Sequence, residues 1–376
     1  MTGRCLLVLA ALACPAGAAV PERDRFAEVP RLEAASIPAT GTADPRLSGL
    51  DEALRGFMAE HGIPALSFAL GKDGRLLHER AFGWADAAMS TPLRPAVRLR
   101  LASLTKPVVA ATTLALIREG KFGEDTRVFD YLGLGRFAEA GDCDPRWKEV
   151  TVRQLLDHRG GWDKAASGDF TSEPRSTAEL FGIETRDVTP THLVRQGLAR
   201  PLDFDPGDRA SYCNFGYILL ARMIEKAGGR SFEEQVLESV GRPAGADSFL
   251  LSSSRSPGRD PEEGWYCYHP EVSDPGDPGF IHTAPRDGAG GLACTAADYC
   301  RFLGAFWISG KPREAGPRFN YRFHGSYPGV TSVAGQRADG LNYAAIANRR
   351  PTSDTRLNGA LEELIDSVLD GFAEEP

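Results

Sequence analysis

The most constraining feature of the sequence is a serine and a lysine that directly precede a largely apolar run. Ser103 and Lys106 stand three residues apart, and Pro107 and the run over 108–117 follow. Residues at this spacing lie on one face of a helix. Pro107 suits the first helical turn, and Gly120 predicts where the helix ends. The chain therefore has to bury a helix whose N-terminus carries a serine beside a lysine.

This placement predicts a nucleophile and its base. Free N–H groups at the N-terminus of a helix can receive an oxyanion. Burial disfavours the charged form of a lysine, so Lys106 could lose its proton and activate the hydroxyl of Ser103. The alternative is structural: Ser103 caps the helix, and Lys106 extends along apolar surface to reach water. The motif alone does not separate the two interpretations.

Composition and charge exclude one class of partner. The 376 residues are 42% hydrophobic and 25% charged, with a net charge of -8. These values are typical of a globular chain with a sizeable core, built as one large domain or as two closely packed ones. Because the chain is acidic and has no basic run, we do not expect it to bind nucleic acid.

Residues 1–19 have the pattern of a signal peptide. Arg4 precedes a short apolar core, and Ala16-Gly17-Ala18 provides small residues for cleavage. We therefore expect an exported protein, periplasmic or extracellular. The apolar core is too short for a stable membrane span, and no later stretch is long and apolar enough. The alternative is a lipoprotein signal with a lipid anchor on Cys14, which Ala11-Leu12-Ala13 match imperfectly.

The cysteine pattern indicates neither a disulfide framework nor a zinc site. Cleavage near Ala18 would leave five of them, an odd number: Cys143, Cys213, Cys267, Cys294 and Cys300. Their spacing matches neither a disulfide framework nor a zinc motif. We expect at most one or two bridges.

The first part of the chain predicts an arm, a helix and a hairpin. Residues 20–45 lack a clear period and are expected to be a linker or an arm. Apolar residues at helical spacing over 47–58 predict a helix. Two apolar runs, 63–70 and 76–84, are joined by a Gly- and Asp-containing turn and predict a β-hairpin.

The remainder predicts helices and then a return to strands. Helices and long loops are expected over about 120–290, strands over 327–333 and 342–346, and an amphipathic helix over 357–372. Strands at both ends with helices between them predict an α+β fold. We expect one antiparallel sheet built from both chain ends and flanked by helices, with a mostly helical region inserted, all in one domain over 46–376.

A second candidate set is Tyr212 and Asn214, on a loop that enters an apolar helix. In an extended loop, residues two apart point the same way. A tyrosine that faces a buried lysine can share its proton and pass it to a leaving group. Asn214 could orient the lysine and hold a substrate carbonyl. The alternative is a core tyrosine followed by an N-cap asparagine.

A third candidate set opens a strand near the end of the chain. It contains His324, Gly325 and Ser326, shortly before Pro328-Gly329. Gly325 would let a substrate lie against the strand edge, and the backbone N–H of Ser326 could be a second oxyanion donor. The alternative is a strand-entry turn with a half-exposed histidine.

In this order and separation, the three sets resemble the serine β-lactamase and penicillin-recognising enzymes. Within that superfamily, the chain most resembles the group of class C β-lactamases, carboxylesterases and D-aminopeptidases. Its members show Ser-x-x-Lys, then Tyr-x-Asn, then Lys-Thr-Gly or His-x-Gly. The resemblance covers roughly residues 45–372, and segments 150–158 and 290–298 support it. It implies a β-lactamase/transpeptidase-like fold.

The resemblance also implies a role for each residue. By this resemblance, Ser103 would be the acylated nucleophile and Lys106 its base. Tyr212 would be the proton shuttle and a candidate base for the deacylating water. Asn214 would bind the substrate carbonyl and orient the lysine, and the N–H groups of Ser103 and Ser326 would form the oxyanion hole. No metal or organic cofactor is implied, and the partner is a small-molecule ester, amide or peptide substrate.

The third set departs from the family pattern. Counted back from Pro328-Gly329, the position that is usually Lys or His is Phe323, and His324 falls one residue late. A slip of one residue turns a strand side chain to the opposite face. Either a bulge returns His324 to the site, or the site lacks this cation. Because a missing cation weakens the binding of a substrate carboxylate, we favour an esterase-like serine hydrolase. A D-Ala-type peptidase or β-lactamase, and a catalytically silent ligand-binding homologue, are the alternatives.

Overall fold

Strands from the two ends of the chain pair at the centre of one antiparallel sheet. The computed structural model describes residues 31–137, 143–254, 259–268, 282–314, 318–350 and 356–372. The sheet consists of β1 Ala39–Thr42, β2 Ala65–Lys72, β3 Arg75–Gly83, β7 Tyr321–Tyr327, β8 Val330–Gln336 and β9 Leu341–Ala347. Its order is β1-β3-β2-β9-β8-β7, and every neighbouring pair is antiparallel. The predicted α+β fold with a sheet from both ends is confirmed.

Helices cover both faces of this sheet and fill the region between its two halves. The described residues contain eleven α-helices: α1 Ser48–His61, α2 Thr105–Arg118, α3 Val128–Leu132, α4 Val152–Leu156, α5 Lys164–Ser167, α6 Pro174–Phe181, α7 Pro190–Leu198, α8 Asn214–Gly228, α9 Phe232–Val236, α10 Ala296–Ala305 and α11 Leu357–Leu369. A small second sheet has the order β4-β6-β5 and is formed by β4 Leu99–Arg100, β5 Leu250–Leu251 and β6 Leu292–Cys294.

The alternating side chains of β2 divide the interior into two cores. Leu66, Phe68 and Leu70 are fully buried in the core that contains α1 and α11. Ala65 and Ala69 face the other core, which contains α2, α8 and α10. A strand covered on both faces loses the polar alternation of a half-exposed strand, so β2 appears in the sequence as one continuous apolar run.

Strand β7 differs from the sequence prediction. We expected a single strand over 327–333, whereas the chain turns at Pro328-Gly329 and separates β7 from β8. Gly329 has a φ of 73°, which suits glycine, and proline has no N–H to give to a ladder. Among the described strands, β7 pairs only with β8 and is the outer strand on this side of the sheet.

Part of the predicted linker or arm is built into the domain. Residues 39–42 form β1, which pairs with β3, and Leu32 and Ile37 are buried against α1 and α11. The sequence prediction missed this strand because it is four residues long and contains Gly41. The predicted signal peptide, residues 1–19, lies outside the described residues.

Neither cross-links nor membrane-spanning helices contribute to the described part of the fold. Cys143, Cys213, Cys267, Cys294 and Cys300 are all free thiols. Within the described ranges, each helix is too short or too polar to cross a bilayer.

Candidate active site

Ser103 lies on a sharp turn at the entrance to α2. A short 3₁₀ turn, Ala102–Leu104, leads directly into the helix. Ala102 has a φ of 48°, and a non-glycine residue in this left-handed region costs roughly 1–3 kcal/mol. α2 ends at Arg118, two residues before Gly120, as the sequence predicts. The strained turn is followed by a long buried helix that holds it in place.

Lys106 is buried beside Ser103. The residue is 1% exposed, and its Nζ lies 3.2 Å from Ser103 Oγ. It also donates hydrogen bonds to Asn214 Oδ1 at 2.8 Å and to the carbonyl oxygen of Ala289 at 2.5 Å. Burial, reinforced by the charge of Arg286, holds the pKa of Lys106 well below its ordinary value. Lys106 does not extend to water, which rules out the structural alternative for this residue.

Tyr212 approaches Ser103 from the other side. Its hydroxyl donates a hydrogen bond to Ser103 Oγ at 2.7 Å. Burial raises the pKa of Tyr212 to about 12, although the hydrogen bond to Ser103 opposes this effect. The phenol is therefore protonated at neutral pH. Ser103 Oγ lies between an amine that can accept a proton and a phenol that can donate one.

Asn214, the first residue of α8, is oriented by a carboxylate that sequence reasoning missed. Its Nδ2 donates to Asp169 Oδ2 at 2.7 Å. A carboxylate can only accept, so this bond turns Asn214 Oδ1 toward Lys106. Burial raises the pKa of Asp169, but the charge of Arg286 and hydrogen bonds from Thr171, Asn214 and Ser172 outweigh it and lower the pKa. In the sequence, Asp169 shows only the pattern of an N-cap before a short turn.

His158 supports the loop that carries Tyr212. Its ring lies 4.7 Å from the Tyr212 ring and 4.9 Å from the Tyr217 ring, measured between centroids. Its Nδ1 accepts a hydrogen bond from the backbone N–H of Cys213 at 3.2 Å. Burial lowers the pKa of His158 to about 4, and the charge of Lys106 adds to this effect. The imidazole is neutral at pH 7, and sequence reasoning gave it no role beyond ending a helix.

Strand β7 brings Gly325 and Ser326 to the Ser103 turn. A side chain at Gly325 would come within 2.3 Å of the carbonyl oxygen of Leu101 and 2.2 Å of Ser332 Oγ. Only a glycine allows this approach. Ser326 Oγ donates to Asn358 of α11 at 2.7 Å. Because β7 is the outer strand, alternate backbone N–H groups along it have no partner strand.

Neither Phe323 nor His324 brings the expected cation into the site. Pairing of β7 with β8 is regular from Tyr321 to Tyr327, so no bulge turns His324. The imidazole of His324 lies at the rim and hydrogen-bonds to the carboxylate of Glu362 in α11. Phe323, on the opposite face of the strand, packs against the core that contains α2. The contacts of His324 therefore do not favour the expected substrate-binding role, because its imidazole already hydrogen-bonds to the carboxylate of Glu362.

Replacing Gly325 by alanine is expected to damage both stability and turnover. Overpacking of this kind costs about 1–3 kcal/mol of unfolding free energy. A shift of about 1 Å between β7 and the Ser103 turn would lower kcat/KM about 100-fold. Thermal unfolding and ester hydrolysis measure the two effects. Gly49→Ala is the matched control, since nothing lies within 4 Å of a side chain added there. A Gly325→Ala protein with the stability and turnover of the parent would contradict this geometry.

These residues surround an open cleft of about 430 Å³. Its lining includes five of the predicted residues, namely Ser103, Tyr212, Asn214, His324 and Ser326. It also includes three cationic residues that sequence reasoning missed, namely Lys164, Arg286 and Arg350. Among the residues that the structure describes, no three His, Cys, Asp or Glu side chains are grouped to hold a metal ion. The arrangement is suited to acyl transfer through a serine, with a lysine and a tyrosine to move protons.

Comparison with known proteins finds several relatives. The chain is 30% identical over 245 residues to the probable fimbrial assembly protein FimD, serogroup H1, of Dichelobacter nodosus, covering 63% of this chain and 56% of that protein. It is 30% identical over 218 residues to the esterase EstB of Burkholderia gladioli, covering 57% of this chain and 51% of EstB. The chain therefore spans about half the length of the curated relatives that it matches.

A solved structure and a family match cover more of the chain. The D-amino acid amidase from Ochrobactrum anthropi SV3, complexed with L-phenylalanine amide, has the same fold. Its TM-score is 0.65 at 19% identity, over 86% of this chain and 98% of the amidase. The sequence model of the family described as Beta-lactamase matches residues 50–345. Over most of its length, this chain belongs to the β-lactamase family of hydrolases.

Proposed function

We propose that this chain is an exported serine hydrolase that cleaves a small ester or amide through an acyl-enzyme on Ser103. The observation that carries the proposal is the position of Ser103 Oγ, 3.2 Å from the buried Nζ of Lys106 and 2.7 Å from the hydroxyl of Tyr212. The complete network supports an enzyme over a catalytically silent binding protein. Its components also agree with a hydrolase domain over 46–376.

The hydrogen bonds around Lys106 explain how it would act as a base. A neutral amine has two N–H groups, and these can go to Asn214 Oδ1 and to the carbonyl oxygen of Ala289. Its lone pair then faces the hydroxyl of Ser103. As Ser103 Oγ attacks the substrate carbonyl, its proton passes to Lys106 Nζ, and the backbone N–H groups of Ser103 and Ser326 receive the oxyanion.

Tyr212 completes the first half of the reaction. Because its pKa is raised, the phenol holds a proton that it can give to the leaving oxygen or nitrogen. Lys106 Nζ lies 4.8 Å from the Tyr212 ring centroid and can return its proton to the phenolate. Water then attacks the acyl-enzyme and gives a proton to the same base pair. The bond between Ser103 Oγ and the acyl group breaks, the proton passes to Ser103 Oγ, and the carboxylic acid leaves.

Residues outside the described ranges support the proposed location. The signal peptide predicted at 1–19 favours export, to the periplasm or the outside of the cell.

The acidic net charge and the lack of a basic run favour a small molecule over nucleic acid as the partner. An esterase-like reaction remains the preferred type, with a D-Ala-type peptidase or β-lactamase as the alternative.

The test is covalent labelling of purified residues 20–376 with a fluorophosphonate. We expect a single adduct by intact mass and its assignment to Ser103 by peptide mapping, since the probe reacts only with an activated serine. The same protein unfolded in denaturant is the control and should give no adduct. A folded protein that stays unlabelled, or that is labelled at another serine, would contradict the proposal.

A further inference from the structure

Helix α11 lies against β7, the outer strand that carries Ser326. Three polar residues of α11, spaced four apart, contact three alternate residues of β7. The contacts are Asn358 with Ser326, Glu362 with His324, and Asp366 with Arg322. Four residues of a helix rise about 6 Å and two residues of a strand about 6.8 Å, so one face of the helix can follow one face of the strand. The outer strand is therefore held along its length by a polar row on α11.

Asn358, the buried member of this row, uses both ends of its amide. The residue is 4% exposed, and its Oδ1 accepts a hydrogen bond from Ser326 Oγ at 2.7 Å. Its Nδ2 donates to the carbonyl oxygens of Gly325 and Ser332, each at 2.9 Å. Carbonyl oxygens can only accept, so Nδ2 has to be the atom that faces them. One side chain of α11 thus binds both members of the pair that Gly325 of β7 forms with Ser332 of β8.

The same pair of residues contacts the Ser103 turn. Ser332 Oγ donates a hydrogen bond to the carbonyl oxygen of Leu101 at 2.8 Å. A side chain at Gly325 would come within 2.3 Å of that oxygen. Leu101 directly precedes the short turn Ala102–Leu104, which carries Ser103. The Gly325–Ser332 pair therefore lies between Asn358 and the turn that presents the nucleophile.

We infer that Asn358 is a positioning residue for the oxyanion hole, because it fixes the peptide unit that contains the N–H of Ser326. The carbonyl of Gly325 and the N–H of Ser326 belong to one planar trans peptide unit, in which they point in opposite directions. Holding the carbonyl from α11 therefore sets the direction of the N–H on the other side. A hydrogen bond to the carbonyl also polarises the peptide and strengthens the N–H as a donor. The inference rests on the proposed function, in which this N–H receives the oxyanion.

The first test uses Asn358→Leu, which keeps the size of the side chain and removes both donors. We expect kcat/KM for 4-nitrophenyl hexanoate to fall about 30-fold or more, because a misdirected oxyanion donor stabilises the transition state less. Phenylboronic acid adds to an active-site serine as a tetrahedral adduct, with an oxygen on boron in the place of the oxyanion. Its affinity should fall by about tenfold or more. A residue that only stabilised the fold would leave this affinity unchanged at temperatures well below the melting temperature.

The second test uses Asn358→Asp, which keeps the shape of the side chain and the acceptor for Ser326. An ionised carboxylate has no hydrogen to donate to the two carbonyl oxygens, whereas a protonated carboxyl can donate to one of them. The rate of the variant divided by the parent rate at the same pH should therefore rise as pH is lowered from about 8 to about 5. Taking this ratio removes the titration of Lys106, which both proteins share. If Asn358→Leu does not fold, this variant decides, and a ratio that stays near one at every pH would overturn the inference.

Asn342→Leu is the matched control for loss of a buried asparagine. Asn342 is 1% exposed and lies in β9 of the same sheet, where its Oδ1 accepts a hydrogen bond from Arg313. Its register partner in β8 is Gln336, which pairs with Tyr321 at the far end of β7 from Ser326. This variant should melt at a lower temperature but keep kcat/KM and the affinity for phenylboronic acid within about twofold of the parent.

The outcomes separate this inference from the proposed function. A folded Asn358→Leu protein with the turnover and boronic acid affinity of the parent would overturn the inference and leave the proposed hydrolase intact. An equal loss in Asn342→Leu would also overturn it, because the effect would then be general damage to the sheet. A parent protein that neither labels with the fluorophosphonate nor binds phenylboronic acid would contradict the proposed function itself.

Discussion

Ser103→Ala is expected to abolish ester hydrolysis and leave a folded protein. Removing a nucleophile that works as a unit with its base lowers kcat by about 10⁴- to 10⁶-fold. Ser103 is only partly buried, and its Oγ has two partners, Lys106 and Tyr212, that both border the cleft. The unfolding free energy should therefore change by less than about 1 kcal/mol. Initial rates with a 4-nitrophenyl ester and a thermal melt measure the two quantities.

Ser326→Ala is the matched control for this result. In the proposed mechanism, Ser326 contributes its backbone N–H, and its hydroxyl donates to Asn358 on α11. Alanine keeps that N–H, so the loss of kcat should stay below about tenfold, against at least about 10⁴-fold at Ser103. A folded Ser103→Ala protein that retains a few per cent of the parent rate would show that another group is the nucleophile.

The parts of the site that could be predicted are those encoded within one turn or one loop. Ser103 and Lys106 are neighbours on a helix, and Tyr212 and Asn214 are two residues apart before another. Their chemistry follows from spacing and from the apolar residues beside them. That the two sets meet, across more than 100 residues of sequence, was implied only by the resemblance to the family. The structure brings them within hydrogen-bond distance.

The parts that could not be predicted are contacts made by loops. Asp169 fixes the amide of Asn214, and Arg286 borders the same cleft, but each sits in a segment without apolar periodicity. Nothing in the neighbouring residues tells such a carboxylate or guanidinium from an exposed one. The role of a loop side chain depends on the element that it contacts, and this contact is set by tertiary packing.

The strands of the sheet likewise divide into those that could be predicted from the sequence and those that could not. Strand β2 was found because both of its faces are buried and its apolar run is unbroken. Strand β1 was missed because it is a short edge strand, with two of its four residues exposed. The strand predicted over 327–333 crosses the turn between β7 and β8, because the prediction followed the apolar run through Pro328-Gly329. A buried strand shows an apolar pattern in the sequence, whereas a short strand at the edge of a sheet shows no clear pattern.

Lys106→Met is expected to lower kcat/KM by about 10³- to 10⁴-fold, because the general base is lost while the volume of the side chain is kept. The parent rate should rise with pH as the Lys106 ammonium loses its proton, since only the neutral amine can accept the proton of Ser103. Its pKa is held well below the ordinary value by burial, so the plateau should be reached well below pH 10.5. The variant should lack this rising limb. Lys121→Met, an exposed lysine just beyond α2, is the control and should keep both the rate and the limb.

The stability of the same variant tests the buried lysine independently of turnover. The pKa of Lys106 is lower in the folded protein than in the unfolded chain. At pH values between these two pKa values, Lys106 is neutral in the folded protein and protonated in the unfolded chain. Burial of Lys106 therefore destabilises the fold increasingly as pH falls from 10.5 toward the folded pKa, by up to about 1.4 kcal/mol per pH unit. Methionine does not titrate, so it adds no pH dependence to the unfolding free energy. The variant also loses the hydrogen bonds that Lys106 donates to Asn214 Oδ1 and to the Ala289 carbonyl oxygen, and this loss is the same at every pH. The unfolding free energy of Lys106→Met minus that of the parent should thus grow as pH is lowered from 10 to 7. A difference that is flat with pH would mean that Lys106 titrates at its ordinary pKa and cannot be the neutral base.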